Sequence, residues 1–190
     1  MKAVPISTKQ VVLAFLFMVA FIGVFIISGS LSQNEQVALA VQEFGYVGVV
    51  IVSVIAGLNI VVPIPAATFT PIFTAAGLAI PLVIAALTVG TLIADFTGYL
   101  LGNISRGMVE KKHPKIQAFF INLKENRGRL VVPVVLLYAA FAPFPNEALL
   151  IPLGLAGVRF TAIVIPLIVG NLINQTYLVY FMMTASDYIL

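Results

Sequence analysis

The sequence predicts an all-α integral membrane protein arranged as an inverted repeat. Each of its two units is a re-entrant helical hairpin broken at a Pro-x-Pro and followed by a full transmembrane helix, and one further transmembrane helix precedes them. Three observations carry this expectation. Hydrophobic residues make up 61% of the 190 positions and charged residues 9%, with a mean hydropathy of +1.12, far from the composition of soluble domains. The apolar blocks are interrupted by prolines at distances too short for spans. The chain also aligns on itself, without a gap, at an offset of 80 residues.

The elements follow in order. The first apolar run, Val11 to Gly29, has 19 residues, which at about 1.5 Å per residue covers a hydrocarbon core of ~30 Å. It is read as a transmembrane helix over residues 10–30. The preceding Lys2 and Lys9 also suit a signal peptide, but that segment has an apolar core of only about 7–15 residues, so an uncleaved anchor is favoured. After the polar link "SLSQNEQ", residues 46–102 form repeat unit one, and residues 130–185 form unit two. In unit two the 13 residues from Leu130 to Ala142 make about 20 Å of helix, too short to cross. Pro143 and Pro145 then end the segment, because proline lacks an amide donor and clashes with the preceding turn. Broken backbone at membrane depth persists only inside protein or beside a wet cavity.

The same device opens unit one at Pro63 and Pro65. At the offset of 80, Pro63 falls on Pro143, Pro65 on Pro145, Gly77 on Gly157 and Gly90 on Gly170, and nine of the 31 pairs from 63/143 to 93/173 are identical. A full span follows each hairpin, Leu82 to Leu101 and Thr161 to Met183. A hairpin that leaves on the side it entered, followed by one crossing, makes consecutive units enter from opposite faces, an architecture of many transporters.

Residues 103–129, the longest polar stretch at 27 residues, leave no room for a separate soluble domain, so residues 1–190 are one membrane domain. This basic loop holds Arg106, Lys111, Lys112, Lys115, Lys124, Arg127 and Arg129 against Glu110 and Glu125, seven positive charges to two negative and a surplus of five. The link from Ser30 to Glu43 has no Lys or Arg. The positive-inside rule then puts the N-terminus and the basic loop in the cytoplasm and the C-terminus, with Asp187, outside. The expected location is a prokaryotic plasma membrane. Within the loop, Ile116, Phe119, Phe120 and Leu123 share a helical face, which suits a short interfacial helix at an anionic leaflet or an ordinary connector.

Zero cysteines and a single His113 in a lysine-rich loop exclude thiolate or histidine metal sites and cysteine nucleophiles. No Ser/His or Cys/His constellation exists either, so no enzyme, cofactor, metal or nucleic-acid partner is expected. The candidate site residues are the intramembrane acids Asp95 and Glu147, since a charge at mid-membrane costs about 2.5 kcal/mol or more and faces an interior or wet cavity. Their repeat mates are neutral, Gln175 and Ala67. A carboxyl group that takes a proton from one side and releases it to the other would couple transport to a proton gradient. The plainer readings are that Asp95 hydrogen-bonds Asn59 or Asn174 for packing, and that Glu147 complements a helix N-terminus. Asn146, Asn171, Asn174, Gln175 and Thr176 add a polar stripe. Gly98 and Gly102 form a small-xxx-small pair for close helix packing, and Arg159 is placed to snorkel at the inner boundary.

The stretches "PIPAATFTPIFTAAG", "ADFTGYLLGNISRG" and "FAPFPNEALLIPLGLAG" together resemble the DedA family, also called SNARE-associated or VTT-domain membrane proteins, over about residues 46 to 184. The pattern Asp95, Tyr99, Gly102, Gly107 is its most specific piece. The resemblance implies two re-entrant hairpins that meet in the membrane and a lipid translocase, often dependent on proton motive force. Ala67 stands where the family has a glutamate, and Asn146 and Glu147 where it has arginines. Arginine is the side chain suited to grip phosphate in two places at once, so this departure argues against a polyprenyl phosphate cargo. "PFPNEALLIPLGLAG" followed by "GNLINQ" is similar to the related small multidrug export group.

Two functions are therefore expected in turn: a lipid translocase with membrane lipids and protons as partners, or a proton-coupled exporter of small cationic or amphipathic solutes. An insertase or assembly scaffold is a third, non-transport reading. The sequence leaves open whether two copies form a homodimer.

Overall fold

The computed structural model describes residues 8–58, 64–112, 128–142 and 144–189. Pro63, Pro143, Asn59, His113 and the interfacial segment 116–123 lie outside them. The described residues form seven α-helices: α1 (Thr8–Ser32), α2 (Glu35–Gly57), α3 (Thr70–Ala75), α4 (Ile80–Lys112), α5 (Val131–Phe141), α6 (Glu147–Leu155) and α7 (Phe160–Ile189). A 3-10 turn at Ala66–Phe69 leads into α3, and another at Gly128–Leu130 leads into α5. Glu35–Gly57, Ile80–Lys112 and Phe160–Ser186 are long and apolar enough to cross a membrane, so the described residues have the all-helical build of a membrane protein.

Local chemistry sets the boundaries. Asn34 starts α2, its side-chain oxygen accepting from the amides of Gln36 at 3.0 Å and Val37 at 3.4 Å. Within α2, Gly45 has φ 54 and ψ −144, a conformation only glycine adopts cheaply. The straight run after this kink covers only residues 46–57 and starts where the sequence places repeat unit one. Gly77 and Gly157 end α3 and α6 with φ of 76 and 65. Each is followed by a residue whose amide reaches back, Leu78 to Phe73 O and Val158 to Leu153 O, both at 3.1 Å, the left-handed helix ending in which glycine avoids the Cβ clash.

One boundary differs from expectation. Residues 103–112, read as the start of a loop because hydropathy falls there, continue α4 without a break. Falling hydropathy marks the edge of the bilayer; it does not end a helix, and the single glycine of that stretch, Gly107, costs only about 1 kcal/mol.

Packing divides the interior in two. Val49, Ala66, Ala67, Phe73, Val83 and Leu87 form one apolar core with Val179 of α7. Val135, Ala139, Leu150, Ala156, Ile163 and Leu167 form the other with Tyr99 of α4. Val83 and Leu87 of α4 lie in the first core and Ile163 and Leu167 of α7 in the second, while each core also takes one residue from the other helix, Val179 and Tyr99. Beside the prolines, Thr68 N donates to Pro65 O at 3.0 Å and Ala148 N to Pro145 O at 3.1 Å.

α4 packs against α2, α6 and α7, and α5 packs against α7. Glycines permit the closest approaches. A Cβ on Gly102 would overlap the carbonyl of Ile151, and one on Gly154 the carbonyl of Tyr99. α4 and α6 therefore meet backbone to backbone, and Gly98 lies against the Glu147 side chain, whose Cγ would be 2.9 Å from an added Cβ.

Candidate polar site between the two cores

The close approach of α6 to α4 brings the start of α6 to the middle of α4, where α7 also passes. Asp95 of α4 is 2% exposed there. Its Oδ2 accepts from Asn171 Nδ2 at 2.7 Å and from Asn146 Nδ2 at 3.0 Å, and Asn146 Nδ2 also donates to Asn171 Oδ1 at 3.0 Å. The three side chains come from three elements and close a triangle.

Asn146 departs from its ordinary local role. It precedes α6 at a position where asparagine usually caps the helix with its own side chain, yet it makes no such bond. Its amide is turned across to Asp95 and Asn171 instead. The next residue, Glu147, is half-buried and opens α6, where a carboxylate complements the positive end of the helix dipole. Because Gly98 lies three residues beyond Asp95 on the same face of α4 and touches Glu147, the two acids stand within about one helical turn of each other.

One turn back along α4, Thr91 makes a second polar group. Gln175 Nε2 donates to Thr91 Oγ1 at 3.0 Å, the Thr91 and Ser53 hydroxyls are 3.2 Å apart, and Ser53 Oγ donates to Leu87 O at 2.7 Å. As numbers rise on α4 from Thr91 to Asp95 they fall on α7 from Gln175 to Asn171, so the two helices cross antiparallel.

Of the residues singled out in the sequence, Asp95, Asn146 and Glu147 gather at one place and Gln175 lies one turn away. Asn174 does not join Asp95: its Nδ2 donates to Ala140 O at 3.2 Å and to Tyr177 Oη at 2.7 Å. The partner of Asp95 on α7 is Asn171. Ser53 and Thr91 were not anticipated, although the i, i+4 spacings Thr91/Asp95 and Asn171/Gln175 put each pair on one helical face. Pro65 lies at the foot of the first break and Pro145 at the second, where the Tyr138 hydroxyl donates to Pro145 O at 3.3 Å. Gly98 and Gly102 serve the helix approach expected of them.

Arginines stand at the far end of α6. The Arg106 guanidinium crowds Gly157, and Arg159 is exposed. No group of three or more His, Cys, Asp or Glu side chains suited to a metal occurs among the described residues. No family model, no curated protein and no solved structure matches this chain.

Proposed function

We propose that the protein is a membrane transporter, a lipid translocase of DedA type coupled to protons through Asp95. The observation that carries this reading is a carboxyl group buried at the centre of a membrane-type helix pair and held by an amide from a broken-helix tip. Ionisable groups inside membranes are costly and mark ion or substrate pathways, and sites at the junction of two repeats with discontinuous helices are a transporter arrangement.

The inverted repeat belongs to this proposal, and three features support it. The helix endings at Gly77 and Gly157 are 80 residues apart, as are the core visitors Tyr99 and Val179. The paired positions between α4 and α7 exchange under the same offset: Thr91 becomes Asn171 and Gln175 becomes Asp95, so the pair Gln175–Thr91 maps onto the pair Asp95–Asn171, with the donor on the other member. A pair that swaps with itself across an antiparallel crossing is what a two-fold axis in the membrane plane produces.

Re-entrance is supported by length and return. α6 has nine residues, about 14 Å, which does not reach across ~30 Å; α2 as a whole is long enough to cross, but it bends at Gly45, and its run over residues 46–57 is about 18 Å. Tyr46, at the start of hairpin one, accepts a hydrogen bond from Ala79 N, at its end, at 3.0 Å. In this reading the Ala79 turn faces outside, and the Arg159 turn faces the cytoplasm of a prokaryotic cell together with Arg106 and the basic segment.

Cargo follows from charge. The tip of hairpin two brings Glu147 close to the buried Asp95 of α4, whereas Arg106 and Arg159 stand at the other end of α6. A positive or zwitterionic headgroup complements the tip by charge, and the lipid tails remain among the exposed apolar side chains. The same acids favour a second reading, proton-coupled export of a small cationic solute.

The test is leaflet exchange of fluorescent lipids with different headgroups in liposomes holding purified protein, with and without a pH gradient. Exchange by wild type that collapses in Asp95→Asn while the variant stays folded is the expected result. Absence of exchange for every headgroup overturns the lipid reading, and uptake of organic cations by the same liposomes then decides for the second.

A further inference from the structure

Gln175 is 6% exposed, and while its Nε2 donates to Thr91, its Oε1 has no hydrogen-bond partner among the described residues. A buried amide oxygen without a donor is destabilising, and native interiors satisfy such atoms with water or ions where space and polar neighbours allow.

The hydrogens around it can be assigned. A hydroxyl has one hydrogen to give, and that of Ser53 goes to Leu87 O, so in the Ser53 to Thr91 contact Thr91 is the donor. Gln175, Thr91 and Ser53 thus form a one-way chain that ends on the Leu87 carbonyl, and each bond polarises the next. Its head, Gln175 Oε1, requires a donor; both hydroxyl hydrogens of this group are committed, and the second Nε2 hydrogen cannot turn back on its own amide oxygen.

The neighbouring polar group is that of Asp95. It lies four residues away on both α4 and α7, a separation of about 6 Å along the helix axis. Two hydrogen bonds of about 2.8 Å that meet at one water oxygen span about 4.5 Å, so a single water joins the two groups where the Gln175 and Asp95 side chains lean toward each other from their levels on the helices. Asn146 spends both its amide hydrogens on Asp95 and Asn171, so it has none to offer.

We propose that one water molecule is bound between the two groups, donating to Gln175 Oε1 and hydrogen-bonding the Asp95 carboxyl, and that it is the immediate proton acceptor of Asp95. This proton-transfer role rests on the proton-coupled reading above; the water site itself does not. In the transfer the O–H bond of the protonated carboxyl breaks and its proton joins the water oxygen as hydronium. The carboxylate left behind keeps the Asn146 and Asn171 hydrogen bonds at Oδ2, and the reverse step reloads it. Among the elements packed nearby, α6 brings Glu147, α5 brings Tyr138 and α7 brings Tyr177, whereas α2 brings the neutral Ser53. The carboxyl signal must therefore be assigned by variants.

The measurement is infrared difference spectroscopy of the protein in lipid during a pH jump, in H2O and in H2 18O. The expected result is a water O–H band that moves in H2 18O, together with a carboxyl C=O band that vanishes in Asp95→Asn and survives Glu147→Gln. Gln175→Leu removes the water band and moves the carboxyl band, and Thr91→Val, which frees the Gln175 amide, shifts both. Ser28→Ala, which alters a different buried hydroxyl, changes neither. No isotope-sensitive water band in wild type, or one unmoved by Gln175→Leu and Thr91→Val, overturns the proposal. Bands that behave as expected in a protein that exchanges no lipid leave the water site standing and remove only the cargo reading.

Discussion

Replacing Asn171 by Leu tests whether the Asp95 triangle is an energetic unit. Asn171 is 2% exposed and takes part in two of the three bonds, donating to Asp95 at 2.7 Å and accepting from Asn146 at 3.0 Å. Hydrogen bonds between membrane helices average about 0.6 kcal/mol and reach about 1.7, and those to charged groups about 1.5–3. Losing both bonds should cost roughly 2–4 kcal/mol, because Asp95 retains only Asn146 as a donor.

The comparison that isolates the pair is Asn171→Leu in an Asp95→Leu background. With both partners apolar no buried acceptor is stranded, so the double variant should be more stable than the sum of the single effects by about 1–2 kcal/mol. Reversible unfolding in detergent micelles, followed by steric trapping or helicity, measures all four proteins. A coupling within about 0.5 kcal/mol of zero, the scatter of independent sites, would refute the idea that these side chains share a hydrogen bond.

Other outcomes follow from the same geometry. Gly77→Ala and Gly157→Ala both force a left-handed residue and should each cost about 1–2 kcal/mol; Gly157→Ala should cost more, since its Cβ displaces Arg106 whereas nothing lies within 4 Å at Gly77. Gly102→Val should drive α4 and α6 apart and lower the unfolding midpoint, with overpacking costs of about 1–3 kcal/mol; an unchanged midpoint would contradict the backbone contact. Ser28, whose buried hydroxyl has no partner among the described residues, should tolerate Ala with equal or slightly greater stability in the same unfolding assay. Because the chain has no cysteine, single Ala79→Cys and Arg159→Cys variants give a clean orientation test with an impermeant thiol reagent on intact cells. Ala79→Cys should label and Arg159→Cys should not, and labelling of both from one side would rule out opposed hairpins.

Much of this site was legible because prolines, glycines and intramembrane acids are few and each has a strong physical meaning. The glycines that end α3 and α6 and the Gly98/Gly102 pair were visible as spacings, and Asp95 with Asn146 as polar residues in apolar surroundings. The azimuth of α7 was not visible. Asn171 and Asn174 are three residues apart, nearly on one face, and which of them meets Asp95 depends on how α7 is rotated. That rotation is set by Gly170, where a Cβ would strike Ala139 and the Leu136 carbonyl of α5, turning Asn174 toward Ala140 and leaving Asn171 for Asp95. The kink at Gly45 was likewise hidden, since nothing in "EFGYVG" separates the glycine that bends from Gly48, which does not.

The amide at position 175 has a consequence for how much charge this interior can hold. An acid there would stand about one turn from Asp95, and at an effective dielectric constant near 20 the repulsion of two carboxylates at ~6 Å would be about 3 kcal/mol. Glutamine has nearly the shape of glutamate without its charge, so it fills that place beside Asp95 with no such conflict. One side of the crossing bears the charge, and the other is the neutral matrix that makes a single buried charge tolerable.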